Sequence, residues 1–225
     1  MWQWEELPDG IRFSLYSPDG EGGFPGNIRV ITDYRFNEDN ELSVRHYAET
    51  DCATYINMTN HAYFNLCGKG KKITEHRLHI PADRILDTTP AFIPTGKRMN
   101  VKNTPFDFTS LKPIGTDLYA DHEQLLWNKG YNHCYILKDE ISVEMLEAAS
   151  LYEPVTGRNM TVMTDLPAVL LYTAGYYERP DTAVCLETQF YPDTPSHSDF
   201  PSCLVLPEKA YEHCTLFHFQ VQKEE

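Results

Sequence analysis

Basic residues are few for a chain of this size. The 225 residues include 19 lysines and arginines against 33 aspartates and glutamates, which gives a formal net charge of −14. Binding to nucleic-acid phosphates needs clustered lysine and arginine, so this balance argues against a nucleic-acid partner. The small basic turn Lys69-Gly70-Lys71-Lys72 is more typical of an exposed loop than of a phosphate site. An excess of acidic residues is common in soluble proteins.

Long apolar runs and paired cysteines are also missing. No stretch approaches the roughly 20 apolar residues that cross a bilayer, which argues against a membrane protein. The six cysteines are scattered, with no CxxC pair and no spacing typical of a zinc site. Residues 1–6 have neither the basic start nor the apolar run of a signal peptide. We therefore expect a protein of a reducing compartment, most simply the cytoplasm.

Helical periodicity is weak, whereas turn residues are frequent and evenly spread along the chain. Between the turns lie short runs rich in β-branched and aromatic residues, which is typical of strands. The predicted strands are Ile11–Tyr16, Asn27–Tyr34, Glu41–Tyr47, Thr161–Met163, Leu204–Leu206 and Thr215–Val221. Residues 140–150 fit a short helix by propensity, or a strand by their alternating start. With no linker or repeat, the sequence predicts one all-β domain over residues 1–225, either a sandwich or a barrel.

Residues 57–65 place a histidine among side-chain amides. Interpreted as a strand, this segment has His61 on the face that it shares with Tyr63 and Asn65. One interpretation is a buried histidine that its amide neighbours satisfy. The other is a functional histidine, because asparagines are unfavourable in a sheet unless they hold loops or bind something polar.

Glu187 is the second candidate, since it is the only carboxylate in the run from Ala183 to Tyr191. As part of a strand it shares a face with Cys185 and Gln189. A carboxylate in so apolar a run must have partners, or its pKa must rise. It is therefore either half of a structural ion pair or a general base. A histidine and a glutamate held across a pocket can act as general acid and general base.

From residue 17 to the C-terminus, the chain resembles the galactose mutarotase, or aldose 1-epimerase, family. The motifs that carry the resemblance follow the family's order: Asn60–Leu66, Pro94–Gly96, Phe106–Phe108, Gly130–His133, Leu171–Thr173, Cys185–Gln189 and Phe200–Pro201. The resemblance implies a large antiparallel β-sandwich with a sugar cleft across one concave sheet. It also implies a reaction that needs neither a metal nor another cofactor.

The resemblance further implies roles for individual residues. His61 corresponds to the histidine that protonates the ring oxygen of a hexose, and Glu187 to the base that takes the proton from the anomeric hydroxyl. The implied reaction interconverts the α and β anomers of a hexose such as galactose or glucose. Asn60 and Tyr63 are expected to line the sugar site. We expect His61 and Glu187 to project into one cleft, with room for a pyranose ring between them.

Two further sugar-site positions depart from the family pattern. Asn132 stands where the family has a carboxylate that holds sugar hydroxyls, so hydrogen bonding is kept and the charge is lost. Leu170 stands where the family usually has a glutamine beside the sugar. These departures leave a second interpretation open, in which the chain binds sugar or regulates without turnover. A hexose-6-phosphate epimerase would need a basic cluster for the phosphate, and the sequence has none.

The resemblance also concerns the start of the chain. Family members carry a sugar-binding arginine and a second active-site histidine in a stretch that has no counterpart ahead of Trp2. We therefore expect a sandwich lacking the N-terminal part of the family domain. Strand edges in the N-terminal half should then be uncovered, with an exposed apolar patch beside them.

Overall fold

The chain folds almost entirely into antiparallel strands. A computed structural model describes residues 1–68, 70–141 and 143–222. The strands are β1 (Gln3–Leu7), β2 (Gly10–Ser17), β3 (Ile28–Phe36), β4 (Glu41–Thr50), β5 (Thr54–Tyr55), β6 (Arg77–His79), β7 (Arg84–Thr88), β8 (Pro94–Asn100), β9 (Lys112–Pro113), β10 (Asn132–Ile136), β11 (Leu146–Glu153), β12 (Arg158–Thr164), β13 (Ala168–Tyr172), β14 (Cys185–Gln189), β15 (Leu204–Val205) and β16 (Tyr211–Val221). The helical elements are α1 (Glu123–Asn128) and the 3₁₀ turns Glu21–Gly23, Ile114–Thr116 and Thr194–Ser196.

Two main sheets form the sandwich. The larger sheet has nine strands in the order β1-β2-β3-β4-β16-β12-β11-β6-β9. The smaller sheet has five strands in the order β14-β13-β10-β7-β8, and β15 pairs with β5 as a two-stranded ribbon. Every strand pairing in the described parts of the chain is antiparallel. The predicted all-β antiparallel sandwich is therefore confirmed.

The main core fills the space between these two sheets. The larger sheet contributes buried side chains such as Val44, Val162 and Phe217, and the smaller sheet contributes Tyr135 and Leu186. Along β4 the buried and more exposed positions alternate from Val44 to Thr50. This alternation is the period of two expected of a strand with one face on the core.

Gly157 closes the hairpin between β11 and β12, in which Glu153 pairs with Arg158. Its backbone φ is +72°, in the left-handed region that favours glycine. A Cβ atom at this position would lie 2.0 Å from the carbonyl oxygen of Gln222. The turn therefore requires glycine for two independent reasons.

The strand predictions are confirmed, with differences at their ends. All six predicted runs lie wholly or largely within strands of the structure. Of residues 140–150, Leu146–Ser150 are part of β11, whereas the alternating start that suggested a strand precedes it and Ser142 lies outside the described residues. The basic turn includes Lys69, which is also outside them, and its Lys72 forms an ion pair with Asp181 at 3.2 Å.

The prediction of a strand over residues 57–65 is wrong. Only Phe64 forms a β-bridge there, with Val184, and the rest of the segment is irregular. The side chain of Asn57 exchanges two hydrogen bonds with the backbone of Phe190. Asn65 donates to the carbonyl oxygens of Lys71 and Thr182. Such side-chain bonds to the backbone compete with a strand ladder and fix an irregular path instead.

The larger sheet ends at β1 on one side. Trp2 and Trp4, at this edge, are exposed large apolar side chains. Beside them is a groove of about 660 Å³ whose lining includes Trp2, Phe13 and Met58. β1 is thus an edge strand with exposed apolar side chains beside it. Across the described chain, every helix is too short or too polar to pass through a lipid bilayer.

Candidate active site

The smaller sheet turns one face toward the main core and carries Asn132, Cys185 and Glu187 on the other face. Residues paired across antiparallel strands point to the same face, so the register defines rows of neighbours. One row runs Cys134–Leu170–Glu187 across β10, β13 and β14. The opposite face carries Leu171 and Leu186, which pack in the main core.

The next row on the same face runs Asn132–Tyr172–Cys185. Asn132 and Cys185 are therefore two strands apart, about 10 Å at roughly 4.8 Å per strand. Tyr172 lies between them, and it packs with Cys185 in a small apolar cluster. The register thus brings Asn132, Leu170 and Glu187 onto a single surface.

His61 reaches this surface from the irregular segment that precedes Phe64. Asn60 holds the segment in place: its Nδ2 donates to the Tyr34 hydroxyl at 2.8 Å, and its Oδ1 accepts from the Ala62 amide at 3.2 Å. The bridge between Phe64 and Val184 ties the end of the segment to the residue just before β14. These contacts place His61 directly over Glu187.

His61 and Glu187 form a close pair. The Nε2 atom of His61 lies 3.4 Å from Oε1 of Glu187. The imidazole is 48% exposed, whereas the carboxylate side chain is only 8% exposed. Burial raises the pKa of Glu187, and the nearby His61 acts in the opposite direction. A buried base with a raised pKa beside a solvent-accessible imidazole is suited to proton exchange with a bound molecule.

Tyrosines surround the histidine of this pair. Tyr63 stacks on His61 with ring centroids 5.0 Å apart and an angle of 24° between the planes. Tyr172 meets the imidazole edge-on at 6.0 Å. Tyr177 lies against Tyr63 at 5.3 Å. The aromatic rings limit where the imidazole can point, and they give the site an apolar wall.

The positions of His61, Glu187 and Asn60 test several predictions made from the sequence. The interpretation of His61 as a buried, internally satisfied histidine is wrong, because nearly half of its side chain is exposed. The two side chains also leave no room for a pyranose between them, so a ring has to lie over the pair. The amide of Asn60 is engaged with Tyr34 and Ala62, which favours its loop-holding role. Sugar contacts by Asn60, Tyr63, Asn132 and Leu170 stay predictions.

Two neighbours of the pair were given no role from sequence. Tyr172 lies in the Leu171–Thr173 motif and Cys185 precedes Glu187 by two positions, but only the register of β13 on β14 makes Tyr172 and Cys185 adjacent. The ligand atoms of His61, Cys185 and Glu187 all lie within 4.8 Å of one another. These three residues could hold a metal ion.

Together, the fold and the site define an antiparallel β-sandwich with a histidine–glutamate pair on the outer face of its smaller sheet. The sequence matches the family model described as aldose 1-epimerase over residues 1–218. The chain therefore belongs to the aldose 1-epimerase family.

Individual relatives agree with this assignment. Galactose mutarotase from Rattus norvegicus is 34% identical over 233 residues, which cover 98% of this chain and 66% of the relative. Aldose 1-epimerase from Escherichia coli K12 is 32% identical over 221 residues, which cover 93% of this chain and 63% of the relative. The chain thus spans slightly less than two thirds of the length of these curated relatives.

Solved structures show the same fold. Galactose 1-epimerase from Lactobacillus acidophilus NCFM superposes with a TM-score of 0.85 at 26% identity, covering 99% of this chain and 67% of that one. An aldose epimerase homologue from C. elegans gives a TM-score of 0.86 at 24% identity, covering 99% and 69%. The expected mutarotase-like sandwich is confirmed.

Proposed function

We propose that this chain catalyses the interconversion of the α and β anomers of a hexose such as galactose or glucose, by general acid/base ring opening and closure. The observation that carries the proposal is the 3.4 Å separation of His61 Nε2 and Glu187 Oε1. Membership of the aldose 1-epimerase family supports the same reaction.

The close pair suits the geometry of an anomeric centre. The ring oxygen and the anomeric hydroxyl oxygen are bonded to the same carbon, so they lie closer together than two hydrogen-bonded atoms. An acid and a base that approach from the same side of the sugar can therefore be close neighbours. His61 and Glu187, 3.4 Å apart, suit such an approach.

Each side chain then has one task in ring opening. The Glu187 carboxylate accepts the proton of the anomeric hydroxyl, while protonated His61 donates a proton to the ring oxygen. The bond between the anomeric carbon and the ring oxygen breaks and leaves an open-chain aldehyde. Rotation about the adjacent carbon–carbon bond exposes the other face of the aldehyde. Closure reverses both proton transfers and yields the other anomer.

The surroundings of the pair suit a pyranose placed over it. Tyr63 and Tyr172 offer aromatic surface to the apolar C–H face of a sugar ring. Asn132, two strands from Cys185 in the same row, is positioned for hydroxyls at the far side of the ring. Leu170, opposite Glu187, contributes an apolar contact instead of a hydrogen bond.

Polarimetry of freshly dissolved α-D-galactose tests this proposal. The full chain should speed the decay of optical rotation well beyond buffer alone, because each positioned proton transfer typically gives about 10²- to 10⁴-fold. A rate equal to that of buffer would overturn the proposal. If a calorimetric titration of the same sample still detected bound galactose, the chain would be a sugar-binding member of the family without turnover.

A further inference from the structure

A thiol lies beside the histidine–glutamate pair. Cys185 and Glu187 are two positions apart on β14, so their side chains project from the same face of the strand. The His61 imidazole lies close to the side chains of both Cys185 and Glu187. The imidazole Nε2 or Nδ1, the Cys185 Sγ and a Glu187 carboxylate oxygen lie within 4.8 Å of one another.

These three groups make a donor set that thiophilic divalent cations prefer. Imidazole nitrogen, cysteine sulfur and carboxylate oxygen are the three ligand types of protein zinc sites. Zinc sites that also coordinate a water or substrate molecule usually have three protein ligands and one open position. Ionised Cys185 and Glu187 would together carry two negative charges, which a divalent cation offsets in this largely buried place.

The distances suit such an ion after small side-chain movements. Metal–ligand bonds of about 2.0–2.3 Å place tetrahedral ligand atoms roughly 3.3–3.8 Å apart. The His61–Glu187 separation of 3.4 Å already fits this range. Cys185 and Glu187 lie on a paired strand, whereas His61 belongs to an irregular segment with a half-exposed side chain. The remaining separations are all within 4.8 Å, so a bound ion would need small torsional adjustments of the three side chains.

We propose that His61, Cys185 and Glu187 form a binding site for a thiophilic divalent cation, Zn²⁺ or Cd²⁺, and that the bound ion inhibits the enzyme. On binding, the Cys185 S–H bond breaks, a sulfur–metal bond forms and the proton passes to solvent, with no change of oxidation state. The inhibition rests on the proposed function, because the ion would occupy both the acid and the base. Sugar and metal should then exclude each other.

Metal binding is tested without reference to catalysis. Cd²⁺ is titrated into the full chain under a non-thiol reductant, and the sulfur-to-cadmium charge-transfer absorption is followed in the ultraviolet. Cys185→Ser should weaken the Cd²⁺ affinity of this site by at least about 10-fold, the lower end of what changes around a metal typically cost. Cys67→Ser is the matched control, because Cys67 is a partly exposed thiol whose Sγ donates to Asn65 and to the backbone carbonyl of Lys72. Equal affinities in the wild type and Cys185→Ser would overturn the site.

A second variant allows the same test if the first one does not fold. If Cys185→Ser fails to fold, His61→Gln removes a different ligand from a half-exposed position and should also lose at least about 10-fold in Cd²⁺ affinity. An unchanged Cd²⁺ affinity in that variant would also overturn the site. Bound Zn²⁺ should raise the melting temperature of the wild type and of Cys67→Ser, but not that of Cys185→Ser.

The inhibitory consequence has its own readout. Zn²⁺ should slow galactose mutarotation by the wild type and by Cys67→Ser, and added galactose should weaken the inhibition. In Cys185→Ser, the rate with Zn²⁺ should equal that variant's own rate without the ion. Cd²⁺ binding through Cys185 with mutarotation unaffected would overturn the inhibition. A chain without any mutarotase activity would overturn the proposed function while the cadmium titration still decides the site.

Discussion

Leu170 lies directly opposite Glu187 across the β13–β14 ladder, on the same face of the smaller sheet. The carboxylate therefore has an alkyl side chain as its cross-strand neighbour. Burial raises the pKa of Glu187 above its ordinary value, and an apolar neighbour contributes to that burial. The pH response of Glu187, the proposed base, therefore depends on its neighbour Leu170.

Leu170→Gln should let the base work at lower pH. The amide can donate a hydrogen bond to the ionised carboxylate, which lowers the pKa of Glu187. A general base acts only when ionised, so activity is lost as the pH falls through this pKa. A hydrogen bond to a charged group contributes about 1.5–3 kcal/mol, which corresponds to a pKa shift of about one to two units.

The low-pH limb of kcat/KM measures this shift. The limb should move to lower pH in Leu170→Gln and stay in place in the apolar control Leu170→Met. If the low-pH limb stays in place in both variants, a group other than Glu187 determines its position.

Asn132→Asp should tighten sugar binding. Asn132 lies in the row of Tyr172 and Cys185, and the family resemblance implies a carboxylate at its position. A hydrogen bond to a charged group contributes about 1.5–3 kcal/mol, against about 0.5–1.5 kcal/mol for a neutral pair. Calorimetric titration with galactose should therefore give a Kd lower by about 5-fold or more. No gain in affinity would argue that hexose hydroxyls do not reach Asn132.

Tyr63 should act as a positioning residue through its stack on His61. Tyr63→Phe keeps the ring and should retain most of kcat. Tyr63→Leu removes the stack and leaves the imidazole freer to turn, and misplacement of a catalytic group can cost about 10²-fold. Stopped-flow polarimetry should find the loss mainly in kcat for Tyr63→Leu. Equal kcat values in the two variants would assign Tyr63 no role in holding the histidine.

Alternation and turn residues were enough to predict the all-β class and most strands of this chain. The stretch around Val44 in β4 shows why, because each second side chain enters the core. The same reasoning gave a wrong prediction for residues 57–65. Asparagine side chains there form hydrogen bonds to the backbone, which replace the hydrogen bonds between neighbouring strands. Hydrogen bonding of that kind has no periodic signature in a sequence.

The site was predictable only in part. The residues alone left both His61 and Glu187 open between a structural and a functional interpretation, and the family resemblance supplied their roles. Strand register is set by tertiary packing and could not be read from the chain. As a result, the positions of Tyr172 beside Cys185 and of Leu170 opposite Glu187 emerged only from the structure.

His46 should make the fold sensitive to mild acid. It is buried in β4, with its Nδ1 atom 3.0 Å from the Thr32 hydroxyl. Burial, and to a lesser extent the neighbouring His213, lower the pKa of His46 to about 4. Above pH 6.5 the imidazole is largely neutral in both states. As the pH falls from about 6.5 to about 4, the unfolded chain takes up a proton that the folded chain refuses, so stability is lost.

His46→Asn removes this loss. The amide can replace the hydrogen bond to Thr32 but does not titrate. Urea unfolding at several pH values should show the wild type losing on the order of 2–3 kcal/mol more than the variant over that interval, at about 1.4 kcal/mol per pKa unit. Parallel curves for the two proteins would mean that other groups cause the acid loss.

The base assignment can be tested with a substitution that leaves the fold intact. Glu187→Gln is nearly isosteric and removes only the ionisable group. Because burial raises the pKa of Glu187, the ionised carboxylate reduces stability as the pH rises through that value. The variant should consequently melt at neutral pH no lower than the wild type. Glu147→Gln is a matched control, since Glu147 forms another histidine–glutamate pair, with His79 at 3.1 Å.

The rate of galactose mutarotation by Glu187→Gln, followed by polarimetry at neutral pH, tests the central claim most directly. Loss of a general base typically costs about 10²- to 10⁴-fold. We therefore expect the catalysed rate to fall at least about 100-fold in Glu187→Gln and to stay unchanged in Glu147→Gln. A folded Glu187→Gln variant with the wild-type rate would contradict the account, because the proton of the anomeric hydroxyl would then pass to a different group.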